Sequence, residues 1–315
     1  MNQILSQTYR IIEKAVLETD ADCLSLSGGL DSTILAYFLK DRKINTVSII
    51  ANDFLANDLT YCQLAANRFN LPLNIIFCET AEIYSGIEGT IKILKNFNDI
   101  EIRNNVVMYL ALSAAKELGL SKIMTGDGAD EIFAGYNFLL NKSKEDLELD
   151  LERISKIMHF PSQKIGKAIG VDVKSPFCSK EVLEFAKTIP ADLKVREEGG
   201  KKFGKWILRK AFEDKIPKAI AWRQKSPMQD GAGTQGLTEF FDNAIPDSIF
   251  VEKIKKIKDN DGVTIRTKES LQYYEIYRRH HAISQTDESG IKCPDCRCRI
   301  EDDSKFCRMC GRFPL

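Results

Sequence analysis

The chain has no excess of charge in either sense, with 45 lysines and arginines set against 45 aspartates and glutamates in 315 residues. Bulk electrostatics therefore selects neither nucleic acid nor an anionic membrane as a partner. No apolar run approaches the roughly 20 residues needed to cross a bilayer. The opening Met1-Asn2-Gln3-Ile4-Leu5-Ser6 lacks the charged start and apolar block of a secretory leader, so a cytoplasmic protein is expected. Internal repeats and low-complexity tracts are missing too. So is Gly-Lys-Ser/Thr, which argues against a P-loop enzyme, where a lysine sits on the terminal phosphates.

What the chain does have is Ser27-Gly28-Gly29-Leu30-Asp31-Ser32-Thr33, between the apolar runs Cys23–Leu26 and Ile34–Leu39. A strand enters a glycine turn, and the turn enters a helix N-terminus. Adjacent glycines let backbone N–H groups approach an anion, and the helix dipole favours negative charge there. Ser27, Ser32 and Thr33 add hydroxyl donors, and Asp31 can hold a divalent metal that bridges phosphate oxygens. The turn suits the pyrophosphate of ATP while the α-phosphate is attacked, giving an adenylate and free pyrophosphate.

Short apolar segments at 23–26, 45–50, 73–78 and 122–125 alternate with helical patterns at 4–16, 59–69 and 106–118. This predicts an α/β fold with a parallel, doubly wound sheet, whose ligands sit beyond the carboxyl ends of the strands. After about residue 140 the strand signal fades, and helical stretches at 142–152, 181–188, 206–212 and 270–277 predict a helical C-terminal half. A second turn, Thr125-Gly126-Asp127-Gly128-Ala129-Asp130-Glu131, also follows a strand and opens a helix. Its three carboxylates repel one another unless neutralised. Magnesium, held by Asp31 and Asp130 against pyrophosphate, would relieve that repulsion.

Of nine cysteines, Cys23, Cys62 and Cys78 read as small buried hydrophobes. Cys293-Pro-Asp-Cys296 and Cys307-Arg-Met-Cys310 form two knuckles ten residues apart, a spacing suited to tetrahedral Zn²⁺ in a small structural zinc ribbon. Such a short segment has no core of its own, so metal binding, worth roughly 10–16 kcal/mol, would drive its folding. Cys298 falls outside this quartet. The expected organisation is an ATP-using domain over 1–283, a polar linker at 284–290 and the ribbon at 291–315. The ribbon's six basic and four acidic residues lean weakly toward an RNA or acidic protein partner. The stretch 201–225, with nine basic and two acidic residues, reads as a solvated helix face apart from Lys225.

Taken together, the two turns resemble those of the asparagine synthetase B synthetase domain, in the ATP pyrophosphatase (PP-loop) superfamily. Ser27–Ser32 matches the first family motif, and Thr125–Glu131 with Ile132-Phe133-Ala134-Gly135-Tyr136 matches the second. Ser175-Pro176-Phe177, Ala221-Trp222-Arg223-Gln224-Lys225 with Asp230-Gly231-Ala232-Gly233, and Thr267-Lys268-Glu269 before Tyr273-Tyr274 resemble later family segments. The resemblance implies that Leu26 and Ile49 flank adenine, that Thr125 and Gly126 close on the nucleotide, and that Lys225 stabilises phosphate charge. It also implies that Arg103 lies near an amino-acid substrate, and that the carboxylate set Asp127, Asp130 and Glu131 serves catalysis.

The implied function is an ATP-dependent, amide-forming ligase with aspartate and ammonia as substrates. The sequence departs from the family pattern at Asp127, which replaces a glutamate, at Cys178, and across Met158–Lys164, where a family arginine and aspartate lack equivalents. Asn2 stands where the usual chain has its glutaminase nucleophile, which implies free ammonia, a separate glutaminase subunit or another nucleophile. The alternative is a tRNA-modifying PP-loop enzyme that adenylates a base before thiolation or amidation, with Cys178 as sulfur carrier. A non-catalytic ATP-sensing module is a third reading.

Overall fold

A computed structural model describes residues 1–42, 44–282, 290–302 and 304–315. Of the expected linker 284–290, only Gly290 falls within the described residues. The first helix, α1 (Asn2–Leu17), buries Thr8, Ile12 and Val16, an i, i+4, i+8 stripe that fixes its inward face. There follow β1 (Cys23–Ser25), α2 (Leu30–Leu39), β2 (Asn45–Ala51), α3 (Leu59–Phe69), β3 (Leu73–Cys78), α4 (Thr80–Leu94), α5 (Asp99–Glu117) and β4 (Lys122–Met124). Next come α6 (Ala129–Ile132), α7 (Lys144–Ile157), α8 (Pro161–Ile169) and β5 (Asp172–Lys174).

The five strands are parallel, in the order β3-β2-β1-β4-β5. From β1 the chain steps outward to β2 and β3, then crosses back and places β4 on the other side of β1. The order therefore reverses between β1 and β4, and the loops leaving these neighbours diverge over a crevice. Both faces of the sheet are covered. Cys23 and Ile123 belong to one apolar cluster, whereas Leu24 and Met124 belong to the other. This is the period-two alternation of a strand buried on both sides. Helices α4 and α5 pack on the first face, and α1, α2 and α3 on the second. Cys23, Cys62 and Cys78 are buried, as expected.

The remainder is mainly helical: α9 (Lys180–Thr188), α10 (Ala191–Lys194), α11 (Trp206–Phe212), α12 (Lys218–Ala221), α13 (Met228–Ala232), α14 (Leu237–Ala244), α15 (Asp247–Asp261) and α16 (Lys268–His280). Strand pairing does continue past residue 140. Strand β5 adds a fifth member at the sheet edge, and β6 (Arg196–Glu198) with β7 (Lys201–Phe203) makes a small antiparallel hairpin. Each is three residues long, and only Val173 is buried in β5, so neither carries enough alternation to register as a strand in sequence. Helix α5 begins at Asp99 rather than 106, because Asn98 caps it by accepting the N–H of Glu101. Its polar first turns hide the helical period. No described helix is long and apolar enough to cross a membrane.

Candidate active site

A cavity of about 580 Å³ opens over the carboxyl ends of β1 and β4. The first turn contributes Leu26, Ser27, Gly29, Asp31 and Ser32 to its walls, and the second contributes Thr125, Gly126, Asp127, Asp130 and Glu131. Ile49 and Lys225 line it as well. The two turns touch at Gly126, where a Cβ would meet the Asp31 Cβ at 2.9 Å. Within the first turn Ser27 Oγ lies 3.2 Å from Ser32 Oγ, and the Gly29 N–H donates to Ser27 Oγ at 3.3 Å.

Two expected site residues are placed elsewhere. Gly28 does not line the cavity; it has φ of +70° and packs against α3, where a Cβ would sit 2.4 Å from the Cys62 nitrogen. Its glycine serves the turn, and Gly29 faces the ligand space. Arg103 is also withdrawn. Its Nη1 lies 2.6 Å from Glu269 Oε2, its Nε donates to Gln229 at 3.2 Å, and Nη1 also contacts the Thr238 hydroxyl. Glu269 further accepts from Tyr273 at 2.8 Å. Burial pushes the Glu269 carboxyl up and the Arg103 charge opposes this. This buried knot ties α5 to α14 and α16, and reaches the cavity only through Gln229, which lines it.

The dominant electrostatic feature is one that the sequence reading missed. Lys205, only 3% exposed, bridges the two turns: its Nζ is 2.5 Å from Asp31 Oδ2 and 2.6 Å from Asp130 Oδ1. Lys225 Nζ holds the second Asp130 oxygen at 2.9 Å. Two ammonium groups thus balance two carboxylates. Burial alone would raise the Asp130 carboxyl, but Lys205 and Lys225 outweigh it and hold the group well below the usual carboxylate range. Burial likewise opposes the charge on Lys225, and Asp130 and Asp31 overcome it, so its ammonium is held above the ordinary lysine value. Lys205 has a left-handed backbone, with φ of 53°, at the start of α11. Gly135 lies flat over the pair, where a Cβ would meet Asp130 Oδ1 at 1.9 Å and Lys205 Cε at 2.2 Å.

The stretch 201–225 is therefore not simply a solvated face. Lys205 and Arg209 turn inward one helical step apart, and the Arg209 guanidinium donates to the carbonyls of Gly204, Ala221 and Arg223 at 2.8, 2.7 and 2.8 Å. The available signal was Phe203-Gly204-Lys205-Trp206-Ile207-Leu208, in which a lone lysine sits in an otherwise apolar run after a glycine.

Asp31 Oδ1 is buried with no hydrogen-bond partner, and Asp130 Oδ1 has the Lys205 ammonium nearby but outside hydrogen-bonding geometry. Unused acceptor capacity of this kind, on two hard oxygen donors held by the same Lys205 ammonium, fits Mg²⁺. Asp127 accepts from Ser162 Oγ at 2.5 Å and Thr125 Oγ1 at 2.9 Å. Burial pushes its carboxyl above the ordinary value despite those donors. Burial also raises Glu131, which accepts the Tyr136 hydroxyl at 2.5 Å. Cys178 donates weakly to the Asp127 carbonyl at 3.4 Å, and burial, aided by the Asp127 charge, pushes its thiol up to about 12. A thiol so protonated is a poor nucleophile.

At the chain's end the sulfurs of Cys293, Cys296, Cys307 and Cys310 all lie within 4.8 Å of one another. Cys293 and Cys310 are 3.6 Å apart, and Cys296 and Cys307 are 3.5 Å apart. Four sulfurs at about 2.3 Å from one Zn²⁺ in a tetrahedron would stand ~3.8 Å apart, so this donor set fits that ion. The knuckles match in backbone too: the Arg297 N–H donates to the Cys293 carbonyl and the Gly311 N–H to that of Cys307, both with positive φ. The cysteines pack into the same apolar cluster as Phe97, Val263, Tyr274 and Tyr277.

A family model described as Asparagine synthase matches residues 12–150 and 141–282. A probable asparagine synthetase (glutamine-hydrolyzing) of Dictyostelium discoideum is 29% identical over 284 residues, covering 80% of this chain and 50% of its own. Asparagine synthetase B (glutamine-hydrolyzing) of Escherichia coli K12 is 26% identical over 317 residues, covering 90% and 55% respectively. Asparagine synthetase (glutamine-hydrolyzing) 2 of Lotus japonicus is 30% identical over 296 residues, covering 85% and 50%. The chain spans about half the length of these curated relatives. A solved structure, NMN synthetase from Francisella tularensis, aligns over 89% of this chain and 94% of its own with a TM-score of 0.37 and 13% identity, a likeness too loose to bear on function.

Proposed function

The chain belongs to the asparagine synthase family, and from that premise we propose that it is an ATP-dependent carbon–nitrogen ligase that adenylates a carboxylate and passes the acyl group to ammonia. Aspartate is the proposed acyl substrate. One oxygen of its side-chain carboxylate attacks the α-phosphate, the bond to the β-phosphate breaks, and β-aspartyl-AMP and pyrophosphate result. The ammonia lone pair then attacks the acyl carbon, AMP leaves with the carboxylate oxygen, and the nitrogen loses a proton. A separate glutaminase subunit or free ammonia would supply the nitrogen.

The observation that supports this most is the convergence of the two turns on one cavity with Lys205 and Lys225 between them. Leu26 and Ile49 offer apolar walls for adenine. Gly29, the α2 N-terminus and the hydroxyls of Ser27 and Ser32 face the phosphates, where N–H groups without intrahelical partners are available. Asp31 and Asp130 would hold Mg²⁺, which when bound offsets phosphate charge. As nucleotide enters, Lys205 and Lys225 can exchange carboxylate partners for the departing pyrophosphate, so their charge is already in place when the leaving group forms. Asp127, whose carboxyl is pushed above the ordinary value by burial, is in its ionised form a stronger base than a free aspartate and is suited to take the proton lost by the attacking nitrogen. The four C-terminal cysteines would hold a structural Zn²⁺; a closed four-thiolate site leaves no position for substrate. The protonated state of Cys178 does not support the sulfur-carrier alternative.

The test is isotope exchange between pyrophosphate and ATP with each of a panel of acids, aspartate among them. Exchange with aspartate, and asparagine plus AMP once ammonium is added, is expected. Exchange with another acid alone would move the substrate, and exchange with none would remove the ligase reading.

A further inference from the structure

The described residues of 290–315 lie past the family match, which ends at 282, yet they pack against the segments that lead into the cavity's walls. The second knuckle sits on the start of α5. The Met309 carbonyl accepts the Phe97 N–H at 2.9 Å, and Gly311 is so close to Asn98 that a Cβ would meet its amide oxygen at 2.9 Å. Asn98 caps α5, whose second turn brings Asn104 and Asn105 to the cavity. Between the two cysteines of that knuckle, Arg308 reaches further. Its Nη2 donates to the Ile157 carbonyl at 2.6 Å, while Glu301 steadies Nε at 2.6 Å.

Ile157 closes α7, and its carbonyl is one that the helix itself leaves without a partner. The chain then runs through residues 159–162, all of which line the cavity, and ends this run at Ser162, whose hydroxyl holds Asp127. A second tie joins Lys305 to Asp150 of α7 at 3.6 Å. The stretch that follows Ile157, 158–164, is also the one that departs from the family pattern.

We propose that Arg308 is a positioning residue for the acyl and amine end of the cavity: the folded cysteine unit presents its guanidinium to the Ile157 carbonyl, fixing residues 157–162 and, through Ser162, the Asp127 carboxylate. The proposal rests on the zinc reading for the stiffness of the knuckle and on the ligase reading for the use of Asp127. Neither reading enters its central measurement.

Arg308→Met keeps the apolar stem but removes the donors. In the full chain, amide hydrogen exchange in peptides spanning 155–165 should quicken roughly tenfold or more. Peptides covering 26–32 and 125–131 should stay as protected as before, and ATP affinity should hold within about twofold, as expected of a distant site. Arg308→Lys, which can still reach a carbonyl, should restore part of the protection. If Arg308→Met does not fold, the same peptides are followed in the wild-type chain before and after a zinc chelator, with loosening at 155–165 expected. Unchanged protection at 155–165 in Arg308→Met, or after a chelator shown by metal analysis to have stripped bound zinc, overturns the proposal. Metal analysis of the wild-type protein keeps the readings apart: no zinc, with the Arg308→Met effect intact, sinks the zinc reading alone. Failure of pyrophosphate exchange with intact exchange data sinks the ligase reading alone.

Discussion

On one part of the cavity wall, Asp31 and Asp130, on turns that leave adjacent strands, pair with Lys205 at the start of α11 and with Lys225 beyond α12. Elsewhere on the wall, Asn104, Asn105, Ser162 and Gln229 present neutral polar groups from the early turns of α5, α8 and α13. The first part is charge-dense, and its geometry is set by the β1–β4 pairing. The second is assembled from three helices that are not joined by strand pairing, and is braced from outside by the cysteine unit. Where charge is dense, the chain supplies compensation before the ligand arrives. Where the wall is neutral, it uses dipoles whose positions depend on remote supports.

The contrast is broken most severely at Asp130. Asp130→Asn removes the carboxylate shared by Lys205 and Lys225, and pyrophosphate exchange should fall by about 10³-fold, on the order of 4 kcal/mol in the barrier. The same variant tests a pH dependence. The Asp130 carboxyl is held below its unfolded value, so its contribution to stability is fully present above about pH 4 and is lost as pH falls through the folded value. Denaturant midpoints of wild type and Asp130→Asn should therefore converge as pH is lowered from about 5 toward 2. Midpoints that keep a constant separation would contradict the ion-pair account.

Arg103→Met should act on folding rather than on the chemistry. Stranding Glu269 in a buried site costs about 3–5 kcal/mol in urea unfolding, and adding Glu269→Met should recover much of it. A large rise in KM for the acyl substrate, without loss of stability, would instead return Arg103 to the cavity.

The two glycines of the first turn should separate in the same way. Gly28→Ala forces a Cβ into the α3 backbone from a positive φ and should cost about 2 kcal/mol or more. Gly29→Ala meets only Ser27 Oγ at 3.3 Å, so stability should change by less than about 1 kcal/mol while ATP affinity falls. Calorimetric titration beside thermal melts would read both quantities.

The smallest expected effect is at Cys178. Cys178→Ala should leave exchange activity within about threefold, because a half-buried, protonated thiol is not a reacting group. Loss of all activity would revive a sulfur-transfer role.

The same contrast explains what was legible in sequence. Strands β1 to β4 and both turns were visible because each is a local pattern: a short apolar run, then glycine and hydroxyl or acidic residues, then a helix. Lys205 was not, since its partner Asp31 lies 174 residues earlier and the surrounding lysines make it look solvated. Gly28 and Gly29 are adjacent in sequence, and only the approach of α3 tells which one supports the turn. The two knuckles announced their four thiols by spacing, but nothing in that spacing says that Met309 and Arg308 reach Phe97 and Ile157. Strand β5 escaped because three residues with one buried side chain carry no period.

The central claim is that the two turns and their lysines together hold magnesium triphosphate for transfer of AMP. It is tested most directly by the products of ATP cleavage, resolved by phosphorus NMR in the presence of acyl substrate and ammonium, for wild type and Asp130→Asn side by side. The account predicts AMP and pyrophosphate in equal amounts from wild type and almost none from the variant. ADP with inorganic phosphate, or undiminished AMP from Asp130→Asn, would contradict it.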